Sequence, residues 1–171
     1  MNWPILQLED FGITDLEVHW FANKLEGQEY RSNLELGYGI QKRSEQEQRY
    51  RIVLRVADER KSEEGRVQLT LRVTAVGFFV FPESTPVEQH PRLIRTVGIP
   101  ILYSTTRGAL QAISGTLPPD SRYTLPTVNV VDLIKSVEGS GEPKNVAVVE
   151  VAAGQKATLD AGKGVEKAAN S

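Results

Sequence analysis

The side chains that most often do chemistry are thinly spread here. Of 171 residues, two are histidine and none is cysteine. His19 lies in the alternating stretch DLEVHWFA, and His90 sits beside Pro91 in HPRL. A zinc site needs three or four ligands at short spacings, and no such cluster surrounds either histidine. They read as two unrelated surface or edge residues. Without cysteine there is no thiolate nucleophile, no thiolate metal ligand and no disulfide. No Gly-x-Ser-x-Gly elbow is present to carry a serine nucleophile. Ala161–Gly164, AGKG, has the Gly-Lys of a phosphate loop but neither its leading glycine nor the Ser or Thr after the lysine. The pair Gly37 and Gly39 lies inside a strand pattern and predicts a bulge or a close backbone approach. The carboxylates scatter over loops and outer faces, as solvated charges do, and not as an acid–base pair. The expectation is a protein that is not an enzyme and needs no cofactor or metal.

Composition narrows the remaining classes. Twenty Lys and Arg stand against 22 Asp and Glu, a formal net charge of −2, so no nucleic-acid partner is expected. Apolar residues make up 40% and charged residues 25%, the balance of a soluble domain. No apolar run approaches the length of a membrane span, so no membrane insertion is expected. The start, MNWPILQLEDFG, lacks the basic n-region of a secretory signal. Together these predict a cytoplasmic protein.

Four segments alternate with period two, as half-buried strands do. They are DLEVHWFA (Asp15–Ala22), NLELGYGIQ (Asn33–Gln41), RYRIVLRVADE (Arg49–Glu59) and GRVQLTLRVTAVGFFVF (Gly65–Phe81). The charged stretch DERKSEEG reads as the hairpin loop between the last two. Pro82, Pro86 and Pro91 then make PESTPVEQHPRL an irregular crossing segment. A long helix follows over Ile99–Ser114, with Pro100 in its first turn and Gly115 at its end. LPPDSRYTLPT is an extended connector, and Asn129 caps a last helix with Asp132 in its first turn. The predicted fold is α+β: a four-stranded antiparallel meander, a crossover loop, a long helix and a short C-terminal helix. Residues 1–137 form the domain. Residues 138–171 read as a flexible tail, in which VAVVEVA (Val146–Ala152) either adds a strand to a sheet edge or sits in a groove of the domain.

Two features go beyond that outline. In the long helix, Ser104, Gly108, Ala112 and Gly115 recur at spacings of three and four, so small residues line one face. A mid-helix glycine costs about 1 kcal/mol relative to alanine, which close packing can offset. The close neighbour is either part of the same chain or a second subunit. The other feature is a surplus of apolar residues near irregular segments: Phe78, Phe79 and Phe81, then Leu93, then Leu117, Tyr123, Leu125, Val128, Val131 and Ile134. Some of these are core. Any left over would form an apolar groove able to take an extended polypeptide.

The order of elements resembles the SecB-type protein-export chaperones. Ile101, Leu102 and Arg107 match that family's helix start. Gly115, Thr116, Leu117 and Pro118 match its break, and Leu125, Pro126, Asn129 and Leu133 match its last helix. YRIVLRV and VGFFVF are similar to its strand cores, and the likeness runs from about Ile13 to Val137. The resemblance implies an ATP-independent holdase for unfolded client proteins. It also implies a homotetramer with the long helices packed centrally, and the SecA translocase motor as a further partner. Some relatives serve dedicated partners such as antitoxins, so an adaptor for one specific protein is the alternative. On this likeness the polypeptide-binding residues are the ten apolar ones just named, and Ser104, Gly108 and Ala112 form the oligomer interface.

Overall fold

The computed structural model describes residues 5–21, 30–43, 48–138 and 146–152. Four long antiparallel strands form the sheet: β1 (Gln7–Trp20), β2 (Tyr30–Lys42), β3 (Arg49–Ser62) and β4 (Val67–Val80). Their alternation sets the two faces. On β3, Tyr50, Ile52, Leu54 and Val56 all point into the core, while Arg51, Val53 and Arg55 point away. The inner phase continues through Asp58 and Arg60, which are also buried.

The α+β class read from the sequence holds, and the pairing adds what alternation cannot supply. The sheet order is β1-β4-β3-β2-β5. β2, β3 and β4 form a meander, but β1 crosses to pair with β4. Its ladder is irregular in two places, between Leu8 and Asp10 and between Ile13 and Asp15. Alternation tells which face a residue takes and is silent about the partner strand.

Two local readings change. DERKSEEG is not mostly loop: β3 runs on to Ser62, and the turn is confined to the residues between Ser62 and Val67. Gly65 adopts φ +80° there, the left-handed conformation that tight reversals give to glycine. The β2–β3 ladder passes through Gly37 and Gly39 with no register shift, and nothing lies within 4 Å of a Cβ built at Gly39. That glycine marks neither a bulge nor a close approach.

β5 (Val146–Ala152) pairs antiparallel with β2, from Arg31↔Ala152 to Gly37↔Val146. This segment expected in the tail is therefore the fifth strand, and of its two readings the sheet-edge one is seen. The rest of 139–171 lies outside the described residues.

One layer of helix covers the inner face. A short helix, α1 (His90–Leu93), passes through a π-type turn (Ile94–Gly98) into α2 (Ile99–Gly115). Helix therefore starts earlier than the prolines suggested, because Pro91 and Pro100 each sit in a first turn where no N–H is needed. α2 crosses β3, β4 and β1. Its close seat needs Gly77, where a Cβ would stand 3.0 Å from the Leu102 side chain and 2.8 Å from the Phe79 ring. α3 (Val130–Glu138) has the expected cap: the Asn129 side chain accepts from the Asp132 backbone N–H, and its amide donates to the Asp132 carboxylate.

Candidate functional site

The crossing segment is anchored by a knot of three rings. Phe81 stacks on His90 with centroids 3.8 Å apart and 3° between planes, and Tyr50 meets both edge-on at 5.6 Å. His90 is buried, with Nε2 3.2 Å from the Thr85 carbonyl and Nδ1 3.1 Å from the Tyr50 hydroxyl. The carbonyl only accepts, so Nε2 donates and Nδ1 accepts from the tyrosine. Burial holds the Tyr50 phenol above its ordinary range, which keeps it a donor.

The connector is fastened differently, through its own backbone. Four consecutive carbonyls each accept from a side chain of the sheet or of α2. Ser114 Oγ donates to Tyr123 O at 2.6 Å, Arg60 to Thr124 O, Arg107 Nε to Leu125 O at 2.9 Å, and Tyr103 Oη to Pro126 O at 2.8 Å. An extended segment has no internal ladder, so its buried carbonyls must find donors elsewhere. Arg60 is itself held by Asp58, 2.9 Å from Nε, and Asp58 also accepts from Ser32. The Tyr103 phenol is pushed well above its usual range, first by burial and then by the Asp58 charge.

These two anchors decide where the ten expected binding residues fall. Phe79, Phe81, Tyr123, Leu125 and Ile134 are buried in the protomer's own core. In this arrangement they have no surface to offer a client, because the knot and the clamped connector turn them inward. Leu93, Val128 and Val131 are half-buried, and Leu117 is exposed. Phe78 lies on the opposite face of the sheet, beside Arg51 in the ladder and under the Arg43 guanidinium at 5.7 Å. The ten do not form one groove.

A contiguous row of partly open apolar residues lies on β1. Phe11, Ile13, Leu16, Val18 and Trp20 pair with inward positions of β4, from Gly77 to Leu69, and so point to the inner face. The first four are only half-buried and Trp20 is 37% exposed, since a single helix is too narrow to roof the sheet to its edge. Phe21, 62% exposed, takes the other face, beside the His19 ring. Sequence reasoning saw the alternation of Leu16, Val18 and Trp20 and read a half-buried strand, without the open row. The missed signal was arithmetical: one long helix cannot cover the inner face of four strands.

Ser104, Gly108 and Ala112 are exposed, and nothing lies within 4 Å of a Cβ built at Gly108. The glycine therefore makes room for no neighbour among the described residues. No helix among them is long and apolar enough to cross a membrane, and no group of three or more His, Asp or Glu among them could hold a metal ion.

One comparison bears on this arrangement. The chain is similar to a SecB-like chaperone of Mycobacterium tuberculosis, solved in complex with a ChAD peptide from the HigA1 antitoxin. The TM-score is 0.57 at 15% identity, over 72% of this chain and 91% of that one. The fold is SecB-like. At that identity the likeness carries the fold alone. No protein-family model and no curated protein matches the sequence.

Proposed function

We propose that this protein is an ATP-independent holdase that binds non-native polypeptide along the open apolar strip of β1. The observation that carries the reading is the half-covered row of Phe11, Ile13, Leu16, Val18 and Trp20 beside a single helix. Contiguous apolar surface of this kind marks interaction sites on soluble domains. An extended client would bury side chains there without a sequence code, each contact weak and the sum useful. The SecB-like fold supports the reading.

In the same reading the exposed face of Ser104, Gly108 and Ala112 packs against a second copy, and a tetramer is the assembly. Leu93, Leu117, Val128 and Val131 extend the client surface from the crossing segment to the last helix. On an export branch the cytoplasm is the site of action and SecA receives the client. On the dedicated branch one protein, such as an antitoxin, takes the place of the general client. The second branch has its own support in the peptide-bound SecB-like neighbour.

The test is suppression of aggregation of a reduced, unfolded protein without nucleotide, with Val18→Thr/Trp20→Ser beside the wild type. Threonine keeps the β-branch of valine, and serine removes the exposed indole, so the strand stays while its apolar surface shrinks. The expected result is suppression at near-stoichiometric ratio by the wild type and several-fold weaker suppression by the variant. A wild type inert toward several unrelated unfolded chains would overturn the general holdase and leave the dedicated partner.

A further inference from the structure

The sheet face away from the helices carries a feature that the holdase reading does not use. Gly12, Val76, Val53 and Gly39 stand side by side across β1, β4, β3 and β2. Two of the four lack a side chain, and nothing lies within 4 Å of a Cβ built at Gly12 or Gly39. The result is a trough of about 370 Å³ running across the strands, floored by Gly39, Val53 and Val76 and banked by Arg51, Arg55 and Thr74.

Its banks are cationic. Arg55 is exposed, and Arg51 donates to Gln41 Oε1 at 3.0 Å. Among the described residues neither arginine has a carboxylate partner. Arg43, over the Phe78 ring, adds a third guanidinium next to Arg51. The nearest acid of this face in the ladder is Glu35, on the neighbouring strand β2 opposite Ala57 and two residues along from Arg55; Asp10 and Asp15 stand two strands away on β1. Glu59 and Glu17 lie farther along, where Arg72 comes within 3.8 Å of Glu17.

The dimensions suit one extended chain. The three floor strands β2, β3 and β4, at about 4.8 Å spacing, span about 10 Å, the length of about three extended residues. Arg51 and Arg55 are four residues apart on one strand, about 13 Å, which leaves room for a single backbone between them. Successive side chains of an extended chain point to opposite sides, so adjacent acids would meet Arg51 and Arg55 in turn.

We propose that this trough binds a short acidic segment of a partner protein in extended form. Its backbone lies over Gly39 and Val53 and its carboxylates reach the two arginines. Guanidinium suits this role because its fork matches a carboxylate with two parallel hydrogen bonds. The site is on the face opposite the apolar strip of β1, so the two can be occupied independently.

The test uses the full chain and a fluorescein-labelled peptide of alternating Glu and Asp, read by anisotropy at low salt. The wild type should bind, and added salt should weaken binding. Arg51→Ala and Arg55→Ala should each weaken it about threefold to tenfold. Gly39→Glu should abolish it while leaving the melting curve intact, since its Cβ meets open space. Arg72→Ala, on the same face outside the trough, should leave affinity unchanged. Equal binding by the wild type and the double arginine variant would overturn the proposal, as would no binding at all. Displacement of the peptide by equimolar citrate would overturn the polypeptide occupant in favour of a small anion. Tighter, arginine-dependent binding of an RNA homopolymer would overturn it in favour of nucleic acid.

Discussion

Breaking the Asp58–Arg60 pair should loosen the connector and cost a large share of the protein's stability. The two side chains are 0% and 10% exposed, and they share the inner face of β3 with Ile52, Leu54 and Val56. Arg60→Met keeps an unbranched apolar stem and removes the guanidinium and its charge. Asp58 is then a buried carboxylate with the Ser32 hydroxyl left to it, and the Thr124 carbonyl loses its donor. Removing one partner of a buried pair costs about 3–5 kcal/mol. That compares with a total stability of about 5–15 kcal/mol for a domain of ordinary stability. At about 2–4 °C for each kcal/mol, the melting temperature should fall by roughly 10 °C. Asp58→Leu should do similar damage. The double variant should lose less than either single one, because no uncompensated charge remains. Its residual cost is the unpaired Ser32 and Thr124 groups, about 1–3 kcal/mol each. Urea unfolding of all four proteins gives the cycle. Tryptic cleavage after Arg122, in the connector, gives an independent reading and should accelerate in Arg60→Met. If the single variants each lose under about 1 kcal/mol, or the double variant loses their sum, the pair is not the anchor described here.

Gly108→Leu should leave the protomer folded, because its Cβ meets open space, and should lower the solution mass measured by light scattering. A variant with wild-type mass would remove the small-residue face from the proposed assembly. Tyr103 gives a pH dependence with a definite sign. Its folded phenol is held above the ordinary 10.0 by burial, so above that pH the unfolded chain gives up this proton first. Stability from this group is therefore complete below about pH 10 and declines as pH rises past it. Tyr103→Phe should flatten that alkaline decline while losing about 1 kcal/mol at neutral pH with the bond to Pro126 O, and an unchanged alkaline slope in denaturant titrations would contradict the assignment.

The strands were legible because burial on one face writes itself as period two, and Tyr50, Ile52, Leu54 and Val56 fall where that period places them. The long helix was legible for the same reason, and the cap of α3 from Asn129 and Asp132. Pairing was not: β1 joins β4, and β5 joins β2, through contacts far apart in sequence. The candidate site was the hardest to read. Phe79, Phe81, Tyr123, Leu125 and Ile134 are apolar whether they fill a core or line a groove. Composition cannot separate the two, and only the clamped connector and the ring knot decide it. Asp58 and Arg60 did leave a signal, since they keep the phase of Ile52 to Val56 while being charged. Read as a turn, that signal concealed an ionic anchor of the inner face.

The uneven ladder of β1 has a consequence for self-association. Among the described residues β5 flanks β2, so the sheet's other margin is β1, whose ladder partner is β4. An exposed margin of a long sheet is a template on which further chains can stack without limit. Two register breaks within β1 interrupt the regular row of donors and acceptors, and Asp10, Asp15 and Glu17 set exposed negative charge along it. On the proposed holdase reading, unfolded chains gathered beside that margin must not seed a fibre. The irregular, acidic rim lets the apolar face stay adhesive while the backbone beside it stays inert.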